Sequence, residues 1–324
     1  YSDTAWYFLG SSGMPVKQMA DFPVPEGIPD YISSASDALF IHEAESENLI
    51  RSGREWFQPV SSASPLRIEP DFNDLLTSES IRAEIRVLAR ASGFTMFRLQ
   101  EDQETVQALT VSGVDLSSET GTYAMSSFLS SEFHTSSGDP VFDLRFYNNG
   151  EAGARGWLDY LTLQGRKANR FRGNTVIFSD RLAPAGGIAE YRVETANTGI
   201  TVWDVTNMME PATIVTEMEE TGISFRSEGS GLRRFVAFTA NSLSSPYIRS
   251  SPEVNQDLHG SAPADMIIVT HPMFLTYAVK IADIHLNNSG LTSVIVTPQQ
   301  IYNEFSGGIA DISAIRNFIR MKFS

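Results

Sequence analysis

Residues 80–91, SIRAEIRVLARA, set Ile81, Ala83, Ile85, Val87 and Ala89 in alternation with Arg82, Glu84, Arg86, Leu88 and Arg90. Ala, Arg, Glu and Leu all have good helix propensity, so a helix is the competing reading. Strict period-two alternation favours a strand with one apolar and one wet face, interrupted only by Leu88. Similar runs flank it: FTMFRLQ (94–100), PVFDLRFYN (140–148), GWLDYLTLQGR (156–166), NTVIFSD (174–180), AEYRVETA (189–196), GITVWDVTN (199–207), GISFRSEG (222–229) and LRRFVAFTA (232–240). Between them stand turn-forming clusters such as SSGDP, YNNGEAGARG and APAGG. Many short strands with frequent turns predict an antiparallel β-sandwich, jelly-roll-like in style, over residues 71–262. Residues 1–70 have no clean period: DFPVPEGIPDYI is proline-rich and extended, and FIHEAESENLIRSGREWFQPV mixes charge with apolar residues. They are read as a smaller β-rich region continuous with the sandwich.

The texture changes over residues 263–324. PADMIIVTH carries an unbroken apolar run, Met266 to Val269, that suits a strand of a parallel sheet buried on both faces. PMFLTYAVKIADIHLNN starts with proline and is apolar around much of a helix. GLTSVIVTPQQIYNEF supplies a second buried run at Val294 to Val296. After the Ser306-Gly307-Gly308 turn, DISAIRNFIRMKF has an N-cap in Asp311, apolar Ile312, Ile315, Phe318 and Ile319 at helical spacing, and Arg316, Arg320 and Lys322 towards its end. The pattern is β-α-β-α. Two parallel strands and two helices are too small a layer to shield such apolar runs. The chain is therefore expected to stop inside an α/β domain, through cleavage or truncation, or to complete these elements against a partner chain.

Composition narrows the function. The chain has 324 residues, with 42% hydrophobic, 10% aromatic and 19% charged side chains, as in an ordinary globular protein. Twenty-four basic and 39 acidic side chains give a net charge of −15, a field that repels nucleic-acid phosphates. With no cysteine there are no disulfides, thiolate metal sites or thiol catalysis by this chain. No apolar run approaches the ~18 residues of a membrane span, and YSDTAWYFLG lacks the basic and apolar regions of a signal peptide.

The blocks ADMIIVTHPMFLTYAVKIADIH and LTSVIVTPQQIYNEFSGGIADISAIRNFIRM resemble the opening of the gingipain-type cysteine peptidase domain, and within that family the sortases of the Bacteroidetes type IX secretion system. IYNEFSGG with its following AIRNFIRM helix is the most specific part. HEAESENLIRSGREWF (42–57), ARGWLDYLTLQGRK (154–167), ITVWDVTNMMEPATIV (200–215), LRRFVAFTA (232–240) and NQDLHG (255–260) resemble blocks that precede the peptidase domain in those proteins. The resemblance implies that residues 263–324 are the incomplete start of a caspase-like α/β domain. It also implies a cell-surface cysteine endopeptidase on the outer face of the outer membrane. Such an enzyme removes the C-terminal secretion signal of cargo proteins and attaches them to anionic lipopolysaccharide. The implied partners are that cargo, lipopolysaccharide, and other outer-membrane components of the system, including a PorV-like barrel and an attachment complex. The chemistry requires a thiolate, a histidine base and an oxyanion site. The family's catalytic His and Cys lie on later strands than any matched here, so no catalytic, cofactor-binding or metal residue is carried over, and this chain alone is expected to be inactive.

Of the five histidines, His42, His134, His259, His271 and His285, none has a metal-like partner spacing. His271 is the most suggestive, since it follows a predicted parallel strand, where α/β sheets place ligands. Asp143, Asp159 and Asp204 lie in predicted strands without a calcium-loop pattern, which favours structural roles. Phe146, Tyr147, Trp157 and Tyr160 are read either as core or as an aromatic sugar platform. The latter is the basis of the alternative function, a non-catalytic sandwich module that binds carbohydrate or a protein partner. Trp203-Asp204 matches a propeller dipeptide but has no repeat around it. Asn287-Asn288-Ser289 is formally a glycosylation sequon, to which no weight attaches. No nucleotide-binding, Gly-x-Ser-x-Gly or His-Glu-x-x-His motif occurs, which leaves a Ser-His-Asp hydrolase without a nucleophile signature.

Overall fold

The computed structural model describes residues 5–10, 18–53, 55–173, 175–228, 231–249 and 252–323. The chain divides into two compact units, Gln18–Ser244 and a second composed of Tyr1–Lys17 with Ser245–Ser324. Every β-like run named above carries a strand; Asn174 and Gly229, at the ends of two of those runs, lie outside the described residues.

Gln18–Ser244 contains two sandwiches. The first packs the sheet Leu66–Ile68, Phe142–Tyr147, Thr95–Glu101, Glu104–Val111 against the sheet Ala35–His42, Arg155–Ala168, Ile81–Arg90, Met125–Phe133, with Gln58–Val60 also paired to Arg155–Ala168. Ile81–Arg90 is an interior strand, antiparallel to both neighbours. Its Ile81, Ala83, Ile85, Val87 and Ala89 all enter the core. Leu88, the exception in the alternation, is buried too, because Phe57 and Trp157 cover this end of the outer face.

The long partner strand Arg155–Ala168 changes phase at a register shift between Leu158 and Tyr160, where Asp159 is the extra residue. Gly156 and Leu158 face the core before it, and Leu161, Leu163 and Gly165 after it. Gly156 lies against Phe97 and Phe146, whose rings are 4.9 Å apart; a Cβ at 156 would come within 2.7 Å of the Phe146 ring. Both rings are buried and must shift to admit the methyl group, so Gly156→Ala is expected to destabilise the unit by about 1–3 kcal/mol. Urea denaturation would measure this, and an unchanged midpoint would reject the close packing.

The second sandwich pairs the sheet Ala20–Asp21, Ala212–Ile214, Thr201–Asp204, Phe235–Phe238, Val176–Phe178 with the sheet Glu217–Glu219, Gly222–Glu228, Ile188–Glu194, Tyr31–Ser33. Its core is aromatic: Tyr191 stacks on Phe225 at 5.2 Å and meets Phe235 edge-on at 4.7 Å. Burial pushes the Tyr191 phenol up to about 12, so it stays neutral at any physiological pH. Strands from the first seventy residues enter both sandwiches.

The second unit holds two parallel strands, Met266–Val269 and Ser293–Val296, paired in register. A short 3-10 turn, Pro272–Phe274, leads into α1 (Leu275–Ser289), which ends at Gly290 with φ 69°. α2 (Pro298–Phe305) follows the second strand, and α3 (Ile312–Phe323) closes the described chain. Asp311 caps α3 as expected: its carboxylate accepts from the Ser313 N–H at 2.7 Å. Phe318, Ala314, Ile301, Val296 and Leu258 form the core. Two features differ from the sequence reading. α2 is an additional helix, started by the Thr297–Gln300 capping box and Pro298. The run Met266–Val269 is half-buried instead of buried on both faces, because the described elements do not supply two full covering layers.

Candidate functional site at the ends of the parallel strands

Open α/β sheets bind ligands outside the C-terminal ends of their strands. Here those ends carry Thr270-His271 and Thr297. His271 stands just before the 3-10 turn, and its Nδ1 accepts a hydrogen bond from the Met273 N–H at 3.2 Å. The Thr297 hydroxyl accepts from the Gln300 N–H at 3.3 Å, and the Thr297 N–H donates to Gln300 Oε1 at 2.9 Å. Both side chains are committed to starting the next element. They shape the edge without supplying a nucleophile.

The densest polar cluster of this unit lies at α2. The Glu304 carboxylate accepts from Gln256 Nε2 at 2.8 Å, from the Leu258 N–H at 2.7 Å, and from the His259 N–H and Nδ1–H at 3.2 and 2.7 Å. Burial alone would raise its pKa, but these donors together hold it below the ordinary carboxylate value. His259 also stacks on Phe305 at 4.5 Å. Further along, Lys322 of α3 donates to the carbonyls of Ser261 and Ala262 at 2.7 and 3.2 Å. Residues 256–262 are thus a strap tied down by α2 and α3 just before the first parallel strand. The sequence contains both ends of this arrangement, NQDLHG and Glu304, but no local pattern joins residues 45 apart.

The remaining candidates sit elsewhere in structural roles. His42 Nε2 meets Gln58 Oε1 at 2.7 Å, and His134 Nδ1 lies 3.4 Å from the Thr77 carbonyl. His285 is half-buried on α1. Asp159 is buried and paired with Arg86 at 2.7 Å; burial raises its carboxyl more than Arg86 lowers it. Asp204 is paired with Arg233 at 3.1 Å and caps the turn at Thr206, and Asp143 is half-buried on the interior strand Phe142–Tyr147 of the first sandwich, between Leu66–Ile68 and Thr95–Glu101. Among the described residues no group of three or more His, Asp or Glu side chains could hold a metal ion.

The aromatic residues do not assemble an open platform. Trp157 is 1% and Phe146 3% exposed, Tyr160 is half-buried, and Tyr147 lies beneath the Arg98 guanidinium at 5.0 Å. Trp203 is half-buried and packs edge-on to Phe238 at 4.7 Å. The indole N–H of Trp157 is bonded to Glu47 at 2.9 Å, beside a cleft of about 410 Å³ that Glu47, Val60, Phe146 and Arg155 also line.

Residues 259–324 match Peptidase family C25. The structure aligns with the crystal structure of dimeric latent PorU from Porphyromonas gingivalis at a TM-score of 0.76 and 20% identity, over 94% of this chain and 30% of that one. The fold is that of PorU. The likeness covers the PorU-like sandwiches as well as the C25-matching segment, as the sequence blocks implied, while the chain spans under a third of the length of that PorU chain. A Paenibacillus sp. cycloisomaltooligosaccharide glucanotransferase complexed with cycloisomaltoheptaose aligns at a TM-score of 0.23 and 10% identity, over 68% of this chain and 47% of that one, too weakly to carry an argument. No curated protein matches the sequence. No helix among the described residues is long and apolar enough to cross a membrane.

Proposed function

We propose that this chain is the N-terminal part of a PorU-like cysteine endopeptidase and sortase displayed at the cell surface. The whole enzyme removes C-terminal secretion signals from exported cargo and joins the new carboxyl end to anionic lipopolysaccharide, working with other outer-membrane secretion components. The observation that carries this reading is the run 259–324, which matches a peptidase family while its elements stand half-covered. α1 buries only Ala278, and Leu275, Tyr277, Val279, Ile281, Ile284 and Leu286 are exposed on it. A helix apolar around most of its surface belongs inside a larger fold. The rest of a C25-type sheet is the natural cover, since 94% of this chain accounts for 30% of PorU.

In this reading the sandwiches support the peptidase domain, the Glu304 strap fixes the entry to its first strand, and the nucleophile comes from sequence beyond residue 324. The reaction needs an activated thiolate to attack the scissile carbonyl and an amine acceptor to release the acyl group. With no cysteine, this chain cannot form that intermediate.

The test is enzymatic. The purified 324-residue chain is expected to leave a cargo C-terminal peptide uncut. The longer gene product is expected to cleave it and to lose activity on thiol alkylation and on replacement of its cysteine nucleophile by alanine. A gene that encodes neither histidine nor cysteine after residue 324 would sink the proposal.

A further inference from the structure

The strand Ala35–His42 ends its sheet, pairing through Arg155–Ala168 on one side. Its opposite edge can be followed residue by residue. The Asp37 N–H points away from the sheet, because it donates to the Ser179 carbonyl at 2.8 Å. The register with Arg155–Ala168 runs unbroken from Ala35 to His42, so Leu39 and Ile41, at the same parity, also turn their backbone N–H and C=O groups outwards. Residues 179–181 occupy the start of this edge, where Asp37 Oδ2 also accepts from the Arg181 N–H at 2.9 Å. Beyond them, among the described residues, no backbone group pairs with the edge at Leu39 and Ile41.

Natural proteins blunt such edges with lysine, proline, a bulge or a covering segment. Here the sequence is Ala38-Leu39-Phe40-Ile41, with Phe40 packed against the core and Leu39 and Ile41 respectively 63% and 56% exposed. The chain then continues into Glu43 and Glu45, both exposed. An accessible ladder flanked by two apolar side chains and followed by two acidic ones favours one kind of ligand. A second copy of this chain fits poorly: antiparallel self-pairing about Phe40 would set Glu43 opposite the acidic Asp37 of the other copy, and both copies carry a net charge of −15.

We propose that the Leu39–Ile41 edge receives an extended polypeptide segment by β-strand addition, with apolar residues of the segment set beside Leu39 and Ile41 and cationic residues near Glu43 and Glu45. Main-chain hydrogen bonds would supply the hold and the alternate side chains the choice of ligand. This docking edge is independent of the peptidase reading, since it uses only the β unit.

The probe is a fluorescein-labelled peptide, Lys-Thr-Lys-Thr-Val-Thr-Val-Thr, capped at both ends and titrated against the 324-residue protein by fluorescence polarisation. Its antiparallel order places the cations near Glu45 and Glu43 and the valines beside Ile41 and Leu39. Saturable binding is expected, with slowed amide exchange at Leu39 and Ile41 in the complex. Ile41→Pro removes an outward N–H that the sheet does not use, and is expected to weaken binding at least about tenfold. If that variant loses its fold, the pair Leu39→Thr with Ile41→Thr, both on exposed side chains, decides instead by the same criterion. Glu43→Lys with Glu45→Lys should weaken the cationic peptide and strengthen one with glutamate in place of lysine. Any of three results overturns the proposal: no saturable binding up to millimolar peptide, equal binding by the folded edge variants, or concentration-dependent self-association that the threonine pair abolishes.

Discussion

Replacing Asp180 with alanine is expected to destabilise the β unit by about 3–5 kcal/mol, because the change strands a buried charge. Arg166 and Asp180 are 4% and 1% exposed and pair at 2.7 Å. Asp180 also accepts from the Ser33 hydroxyl at 2.7 Å, the Tyr31 hydroxyl at 3.0 Å and the Leu182 N–H at 3.0 Å. These groups come from both sandwiches: Arg166 from the long strand of the first, Tyr31 and Ser33 from an edge strand of the second. Without Asp180, Arg166 keeps only the more distant Asp37 at 3.3 Å and Glu79 at 3.6 Å as ionic partners. The loss should therefore fall near the lower end of that range. Arg166→Met together with Asp180→Ala should cost less than the sum of the two single changes, since the double variant leaves no buried charge unpaired. Urea titration of the four proteins measures this, and additive losses would show that the pair is not coupled.

The same pair sets an acid limit. Burial would raise the Asp180 carboxyl, but the bonds from Arg166, Ser33 and the Leu182 N–H and the Arg166 charge outweigh it and hold the group below its ordinary value. A carboxyl depressed in the folded state contributes stability that is full above its unfolded pKa, ~3.9, and is lost as pH falls through the folded value. Stability of the wild type is thus expected to fall more steeply below about pH 4 than that of Asp180→Asn. Parallel slopes in urea titrations at several acidic pH values would refute this.

Trp157→Ala is the second large effect, with an expected loss of about 3–5 kcal/mol. The indole fills the small core made with Phe57 and Leu88, and its N–H donates to Glu47, which is itself bridged to Phe57. Trp157→Phe keeps most of the packing and loses only the bond to a charged acceptor, so it should cost roughly 1.5–3 kcal/mol. A sugar-platform role predicts a different outcome, loss of glycan binding with an unchanged denaturation midpoint. That result would contradict the burial of Trp157.

Local pattern made much of this architecture legible. Period-two alternation marks Ile81–Arg90, and capping chemistry marks the start of α3 at Asp311. α2 was equally marked by Thr297, Pro298 and Gln300, but the apolar run before it drew the strand reading onward. Leu88 looked like a flaw in an alternating strand because its partners, Phe57 and Trp157, come from distant segments. For the same reason local pattern alone allows a sugar platform, which the burial of Trp157 and Phe146 in the interior excludes.

The residue order of this chain determines its β-rich class, the two strands and the first and last helices of its tail, its resemblance to a peptidase family and its lack of a thiol nucleophile, since each depends on neighbours a few positions apart or on composition alone. Tertiary structure decided the rest. Asp180 finds Ser33 and Tyr31 across 147 and 149 residues, Glu304 holds a strap 45 to 48 residues away, and Leu39 and Ile41 are placed on an outer strand only once the sheet order is known. Side-chain periodicity encodes which face of an element is apolar, but closure over such distances depends on the packing of the whole fold.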